Sequence, residues 1–203
     1  MTRLPALAAL CFASLSLAAL PGAAQEATAD SAAPAAPAVP EVSMGIPAMP
    51  DATTAQPGQL YLAAKFETWE QRCIKATEGK DPCQLYQLLL GADGSPVAEI
   101  SFFGLPAGGQ AVAGATVVVP LETLLTANLR VSVDADQGKL YPYSYCNING
   151  CVAKVGFTAD EVKAMENGNQ ATLTIVPAAA ADQTVKIAIS LKGFTAGIAA
   201  VAQ

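Results

Sequence analysis

The spacing of the cysteines most limits how this 203-residue chain can fold. Cys73 and Cys83 are separated by nine residues, and Cys146 and Cys151 by four. Structural zinc sites usually place about two to four residues between paired ligands and often add histidine, which the chain lacks. Redox enzymes usually present C-x-x-C at the start of a helix. The spacing therefore favours structural disulfides over a metal site or a redox pair, provided that the chain is exported.

The N-terminus has the composition of an export signal. Arg3 supplies a positive charge, residues 4–20 form an apolar run, and Gly22 and Ala24 fit the small positions before a signal-peptidase cleavage site. We predict that residues 1–24 are a signal peptide and that the mature protein lies in the periplasm or at the cell surface. No later run of the sequence is long and apolar enough to span a membrane, so no transmembrane segment is expected in the mature chain.

Four cysteines in the mature chain allow three pairings. Pairing Cys73 with Cys83 and Cys146 with Cys151 closes loops of 11 and 6 residues, which the chain-entropy relation values at about 2.8 and 2.2 kcal/mol. Crossed pairs would close loops of more than 60 residues and gain about 4 kcal/mol or more each. We nevertheless expect the local pairs, because each flanks a turn or loop that is poor in apolar residues.

The mature chain divides at about residue 57. Residues 25–57 contain ten Ala and six Pro, and they have no aromatic residue and no apolar periodicity. This composition predicts a disordered linker. All five Tyr and the single Trp69 fall in residues 58–203, which are long enough for one domain with one core.

Most of residues 58–203 have the pattern of short strands divided by turns. Residues 59–75 are predicted as one long strand, with these candidates for burial: Leu60, Leu62, Phe66 and Trp69. Asp93-Gly94 lies between two apolar runs and predicts a hairpin. A second hairpin is predicted over residues 129–146, with Tyr141 to Tyr145 on its return strand. About eight strands in all predict a mainly β fold, an antiparallel β-sandwich or barrel-like domain.

One or two short helices complete the predicted fold. Thr158, followed three residues later by Glu161, matches a capping box, and Gly168 stands where a helix would end. This pattern predicts a helix over residues 158–168. The Ala-rich end of the chain, from Gly193, is a candidate for a last helix, although Gly197 weakens that prediction.

Composition and charge exclude several classes of function. The absence of His removes the side chain most often used as a general acid or base near neutral pH, and the commonest metal ligand. A net charge of −6 argues against nucleic-acid binding, which requires basic patches. We therefore predict no catalytic, cofactor-binding or metal-binding residue.

Two acidic pairs resemble functional sites only weakly. Asp134 and Asp136 faintly resemble the start of a calcium loop, but no bidentate Glu follows at the required distance. Glu67 and Glu70 flank Trp69, as in some sugar clefts. We favour a hairpin turn for the first pair and a solvated strand face for the second.

Two loops are the first places to look for a partner. The Gly-rich stretch 104–114 lacks the order of a phosphate-binding loop, and residues 76–82 are polar. Both are expected to be surface loops, and binding residues often lie on loops.

Several motifs, taken together, resemble a known family. They are "WEQRC" at Trp69, "YPYSYCNINGCVA" around Cys146 and Cys151, a short helix ending in "ENG", and "ISLKGFTAGI" near the C-terminus. In this order and spacing, over residues 58–201, the chain resembles the invasion-associated locus B family of exported bacterial proteins. The resemblance implies a mostly β periplasmic or surface protein without a known catalytic residue set. Founding members of that family are linked to the entry of bacteria into host cells.

The sequence therefore predicts an exported, non-enzymatic protein that acts by binding an unknown protein or a component of the cell envelope. The alternative is an unrecognised envelope enzyme or a carrier of small ligands. Neither a cofactor nor a nucleic-acid partner is expected.

Overall fold

The computed structural model of the protein describes residues 48–202. The predicted signal peptide and residues 25–47 of the predicted linker lie outside the described residues. The strands are β1 (Leu60–Phe66), β2 (Trp69–Ile74), β3 (Cys83–Leu90), β4 (Pro96–Gly104), β5 (Ala113–Val119), β6 (Leu129–Val133), β7 (Lys139–Tyr141), β8 (Tyr143–Asn147), β9 (Gly150–Phe157), β10 (Gln170–Ile175) and β11 (Val185–Ser190). The α-helices are α1 (Ala159–Asn167) and α2 (Phe194–Val201), and a short 3₁₀ helix covers Leu125–Ala127.

The strands form two open antiparallel sheets. The large sheet has seven strands in the order β1-β2-β3-β4-β5-β9-β8, and the small sheet has four in the order β11-β10-β6-β7. The prediction of a mainly β, antiparallel domain with two short helices is confirmed, and the arrangement is sandwich-like.

The predicted long strand over residues 59–75 is wrong, because the structure divides it into the β1–β2 hairpin. Glu67 has a φ of 55° in the turn. The turn contains neither Gly nor Pro, the residues that most often mark a turn in a sequence. Contacts far along the chain hold it instead, since the Thr68 hydroxyl donates to the carbonyl of Lys192 at 3.1 Å.

Burial along this hairpin also differs in part from the prediction. Trp69 is fully buried and Phe66 and Leu62 are half-buried, but Leu60 is 37% exposed. Tyr61 is buried in its place. A register irregularity between Leu62 and Ala64 places Tyr61 and Phe66 opposite Cys73 and Trp69, so both lie on the same face of β1.

The predicted return strand from Tyr141 to Tyr145 is also divided, at Pro142. β7 before it pairs with β6 in the small sheet, and β8 after it pairs with β9 in the large sheet. Proline has no N–H to donate to a ladder, so the chain passes from one sheet to the other at this residue. These two divisions are part of the reason for eleven strands where about eight were predicted.

The core lies between the inner faces of the two sheets and under α2. Its centre is aromatic, with Trp69, Phe102, Phe157 and Phe194 each no more than 1% exposed. The rings of Trp69 and Phe194 are 5.5 Å apart, and those of Phe102 and Phe157 are 5.2 Å apart. Such offset and edge contacts add to the stabilisation that burial of the rings provides.

Both helices begin where the sequence indicates. At α1 the capping box is present: the Thr158 N–H donates to the Glu161 carboxylate at 2.8 Å, and the Glu161 N–H donates to the Thr158 hydroxyl at 3.4 Å. The predicted helix at the C-terminus is also present as α2. Gly197 lies within this helix because the helix packs closely on Leu85. A Cβ at position 197 would lie only 2.5 Å from Leu85 Cδ1.

The last residues of the predicted linker make hydrogen bonds with the β1–β2 hairpin. The Leu62 N–H donates to the Pro50 carbonyl at 3.0 Å, and just beyond the predicted linker the Gly58 N–H donates to the carbonyl of Lys75, which follows β2, at 2.7 Å. Asp51 accepts from the N–H groups of Thr53 and Thr54 and closes a turn.

Candidate binding surface

Both cysteine pairs are cross-strand disulfides in the structure. Cys73 lies opposite Cys83 on β2 and β3, and Cys146 lies opposite Cys151 on β8 and β9. Their Cα atoms are 4.0 Å apart in each case. Because each bond joins neighbouring strands at a hairpin or loop, the cysteines act as clamps within the large sheet.

The clamped β8–β9 hairpin carries at its tip the most exposed large apolar side chain within residues 48–202. Ile148 is 93% exposed. The Asn149 N–H donates to the side-chain oxygen of Asn147 at 2.8 Å. Gly150 has a φ of 144°, and a Cβ there would clash with the carbonyl of Val119. The hairpin therefore presents Ile148 on a well-braced turn that packs against the end of β5.

An apolar row crosses the outer face of the large sheet, which is the face turned away from the small sheet. Strand register places five residues side by side on β3, β4, β5, β9 and β8, which are Leu88, Glu99, Val118, Val152 and Tyr145. We call these residues the apolar row. Leu88 is 45% exposed and Tyr145 50%. Four of its five side chains are hydrophobic although they face away from the core, and one of these four, Val152, is only 3% exposed.

A groove of about 480 Å³ lies along part of this row. Its lining includes Leu88, Val97 and Val118, together with Pro96, Pro120 and Asn149 and the buried Ala98 and Val119. Glu99 is the one charged residue among those that line it. The groove is therefore an apolar depression with a single carboxylate.

A charged cluster lies beside the groove on the same face. Arg72 donates to the Glu70 carboxylate at 2.8 and 3.0 Å, and its guanidinium carbon lies 3.3 Å from the centre of the Tyr86 ring. Lys65 approaches the same carboxylate at 3.3 Å. Partial burial raises the pKa of Glu70, but the hydrogen bonds and charges of Arg72 and Lys65 outweigh it, so this pKa lies below its usual value.

Tyr86 connects the charged cluster to the groove. Its hydroxyl donates to Oε2 of Glu99 at 3.0 Å. Burial and the neighbouring Glu99 carboxylate raise the pKa of Tyr86, and Arg72 opposes them only in part. Tyr86 therefore stays protonated near neutral pH and holds the Glu99 carboxylate in place.

Of the two loops predicted as partner sites, the Gly-rich stretch 104–114 borders a cavity of about 300 Å³. Val162 of α1 and Ile198 of α2 form the opposite side of this cavity, and none of its lining residues is charged. The stretch is less of a loop than predicted, since its last two residues, Ala113 and Gly114, begin β5.

The other loop, residues 76–82, is held by Asp81. Its carboxylate accepts hydrogen bonds from the Tyr61 hydroxyl at 2.7 Å and from the Ala76 N–H at 2.8 Å. The hydrogen bond from Tyr61 is the main reason why the pKa of Asp81 is lowered.

The two acidic pairs have structural positions. Asp134 accepts from the N–H groups of Asn169 and Gln170, and Asp136 accepts from those of Val133 and Gly138. Asp136 closes the turn between β6 and β7, in agreement with the favoured interpretation, and Asp134 connects the same turn to the start of β10. Glu67 is in the β1–β2 turn rather than on a strand face, and Glu70 belongs to the charged cluster.

Within residues 48–202, no three side chains of His, Cys, Asp or Glu are close enough to hold a metal ion. No helix in the same range has the length and apolarity required to cross a bilayer.

The sequence was compared with models of protein families. The model for Invasion associated locus B (IalB) protein matches residues 69–202, about two thirds of the chain. The chain belongs to the IalB family. The family predicted from the sequence motifs is therefore confirmed. No curated protein matches the chain in a sequence search.

A member of known structure has the same fold. The crystal structure of invasion associated protein B from Bartonella henselae superposes with a TM-score of 0.57 at 23% identity, over 66% of this chain and 89% of that chain. At this identity the likeness supports the fold alone.

Two of the motifs that indicated the IalB family, those around Trp69 and Gly193, meet at one structural junction. The Trp69 indole N–H donates to the Ser190 carbonyl at 2.9 Å, and the ring of Trp69 packs on Phe194. The buried Gln87 amide donates to the same carbonyl at 3.0 Å and accepts from the Ser190 N–H at 2.9 Å. Gly193 has a φ of 84°, and a Cβ there would clash with the carbonyl oxygen of Phe66. These two motifs therefore hold the fold together.

The apolar row and Glu99 were not predicted as a site. The "QLLL" of β3 offered a partial indication, because adjacent Leu88 and Leu89 must point to opposite faces of a strand. The rest depends on register across five strands, which the sequence does not reveal.

Proposed function

We propose that this IalB-family protein acts at the outer face of its large sheet by binding a protein or another component of the cell envelope, without catalysing a reaction. The observation that carries the proposal is the apolar row. Contiguous hydrophobic surface rimmed by polar residues is typical of interaction sites. Here the exposed Leu88 and Tyr145 lie beside the charged cluster around Glu70.

Export to the periplasm or cell surface belongs to the proposal. Two disulfides support it, because such bonds persist mainly in oxidising compartments. The composition of residues 1–24 supports cleavage of a signal peptide. We also propose that residues 25–57 act as a linker that carries the domain. The net charge of −6 supports a partner other than nucleic acid.

A binding role without catalysis is supported by how the polar side chains are used. The chain has no His. The carboxylates of Asp81, Asp134 and Asp136 accept backbone N–H groups, and Glu70 is paired with Arg72. These groups are engaged in holding turns and strands.

A small-ligand carrier is the second candidate, and the cavity beside residues 104–113 favours it. Its volume of about 300 Å³ is at the lower end of the range for ligand sites, which is about 300–1,000 Å³. Because no charged side chain lines it, it would accept only a small apolar group. An unrecognised envelope enzyme has no comparable observation in its favour.

A contribution to host-cell entry is the most specific part of the proposal. It is supported by the family description and by the name of the Bartonella henselae protein. A deletion strain compared with its complemented parent in a cell-entry assay tests it. We expect reduced entry, and equal entry by the two strains would contradict this part alone.

Photo-crosslinking in intact cells tests the binding role. Benzoylphenylalanine replaces Leu88 in one strain and Leu140 in another, since both leucines are about half exposed but lie on different sheets. We expect a crosslinked adduct from position 88 and none from position 140. Adducts from neither position, or equally from both, would contradict the proposal.

A further inference from the structure

We propose that the groove on the outer face of the large sheet binds an extended, mainly apolar protein segment that carries one lysine or arginine opposite Glu99. This inference rests on the proposed binding function and specifies the chemistry of the partner. It is argued from the dimensions of the row, the charge in the groove and the groups around it.

The apolar row suits an extended segment. It crosses five adjacent strands, from Leu88 on β3 to Tyr145 on β8. Four steps between strands, at about 4.8 Å each, give a length of about 19 Å. An extended chain advances about 3.3 Å per residue, so about six residues would lie along the row.

The lining determines the composition of that segment. Leu88, Val97, Val118 and the two prolines offer apolar surface without hydrogen-bonding side chains. Burying them favours a partner with apolar side chains, because the gain is proportional to the apolar area removed from water. The segment is therefore mainly apolar.

Glu99 adds the requirement for one positive charge. The Tyr86 hydroxyl occupies Oε2 of its carboxylate, and no Lys or Arg nitrogen within residues 48–202 forms a salt bridge with it. Arg72, the nearby cation of the charged cluster, is already bonded to Glu70 at 2.8 Å. A covered groove would leave the half-buried carboxylate without a counter-charge, which is costly unless the partner supplies one.

Two other occupants fit these groups less well. An anionic membrane surface attracts clusters of Lys and Arg, and the groove lining contains neither. A second copy bound about a two-fold axis would bring the same surface against itself. Such an interface would enclose two Glu99 carboxylates, and the groove lining contains no Lys or Arg to neutralise them.

The β8–β9 hairpin supplies one wall of the groove. Asn149 lines the groove, and Ile148 projects next to it with 93% of its surface exposed. The Cys146–Cys151 bond closes this hairpin at its base. The wall is therefore preformed, which lowers the entropic cost of binding.

A peptide selection tests the inference. The oxidised, exported chain is used to select phage that display random heptapeptides. The most enriched sequence is then made as a fluorescent peptide, and its dissociation constant is measured by fluorescence polarisation. We expect three or more apolar residues and one Lys or Arg at a constant position.

A double-mutant cycle then assigns the basic residue to Glu99. Replacing the basic residue of the peptide by norleucine should weaken binding about tenfold. Glu99→Gln in the protein should weaken binding of the original peptide by a similar factor. Glu99→Gln should not change the affinity for the norleucine peptide. Leu88→Gln should weaken the binding of both peptides about tenfold or more. Leu140→Gln on the small sheet is the matched control and should change neither affinity.

Several results would overturn the inference. These are the absence of any enriched peptide, enriched peptides without a basic residue, and binding that does not respond to Glu99→Gln. Binding to vesicles of phosphatidylglycerol and phosphatidylcholine that Ile148→Lys abolishes would assign the surface to a membrane instead. An adduct from position 88 in cells, combined with peptides that do not depend on Glu99, would refute the inference and leave the proposed function intact.

Discussion

The outer faces of the two sheets differ in composition although their inner faces are alike. Both inner faces are lined by buried apolar residues such as Ile100 and Leu173. On the small sheet, register places Ser132, Thr172 and Ala188 in one outer row. In the next outer row are Leu140, Arg130, Thr174 and Lys186. On the large sheet the apolar row has one charge among five residues.

Alternation of apolar and polar residues is what an antiparallel sheet with one solvated face requires. The small sheet follows that rule almost throughout. The large sheet departs from it along the apolar row, where Leu88 and Tyr145 are 45% and 50% exposed although Val152 is buried. This difference is the basis of the proposed binding site.

The largest expected effect concerns the junction that both sheets share. Gly193→Ala should destabilise the protein by about 3 kcal/mol or more, because the new Cβ would clash with the Phe66 carbonyl at a residue with a positive φ. Denaturant unfolding measures the change. Gly79→Ala is the control, since Gly79 has a φ of 81° but open space around it, and it should cost only about 1–2 kcal/mol. Equal losses would refute the packing role of Gly193.

Removing each disulfide separates stability from binding on the large sheet. Replacing Cys73 and Cys83 by Ser should cost about 2.8 kcal/mol, and replacing Cys146 and Cys151 by Ser about 2.2 kcal/mol. Only the Cys146–Cys151 bond closes the hairpin whose Asn149 lines the groove. Only its loss should therefore reduce crosslinking from position 88. Thermal unfolding and the crosslinking assay measure the two effects. A greater loss of crosslinking in the first variant would contradict this account of the groove.

Alkaline pH should destabilise the segment around Pro142, where the chain passes from the small sheet to the large sheet. Burial raises the pKa of Tyr141 and of Tyr143 to about 12, and Glu161 adds to the effect at Tyr141. A folded-state pKa above the unfolded value of about 10 stabilises the protein below pH 10, and this contribution disappears as pH rises to 12. We expect a loss of about 1–2 kcal/mol per tyrosine after allowance for partial exposure.

Urea unfolding at pH 9 and at pH 11.5 measures that loss. Tyr143→Phe should reduce the difference between the two pH values, and Tyr145→Phe on the outer face is the matched control. A difference that Tyr143→Phe leaves unchanged would show that deprotonation of this residue does not limit stability.

The smallest effect is expected for polar substitutions on the two outer faces. Leu88→Gln and Leu140→Gln replace leucines that are 45% and 50% exposed, so each should change the free energy of unfolding by no more than about 0.5 kcal/mol. Thermal unfolding of the purified variants measures this. A large loss for Leu88→Gln alone would mean that the apolar row stabilises the fold, and the comparison of the two faces would no longer indicate a binding site.

Much of the fold could be predicted from local sequence, because local rules decide it. The capping residues of α1 and the Asp93-Gly94 turn between β3 and β4 were sufficient. The β1–β2 turn was not predictable, since the Lys192 carbonyl that holds Thr68 is 124 residues away in the chain. The candidate site was still harder to predict from the sequence. Glu99 and Leu88 become neighbours only through strand pairing, whereas the motifs around Trp69 and Gly193 revealed the family because they build its core.

The central claim is that the outer face of the large sheet is covered in the cell and that of the small sheet is not. Carbene footprinting measures this directly by comparing the labelling of side chains in intact cells with that of the purified protein. The account predicts that labelling of Leu88, Val118 and Tyr145 falls in cells while that of Leu140 and Ala188 is unchanged. Equal labelling of the apolar row in both samples, or a matching fall on the small sheet, would contradict it.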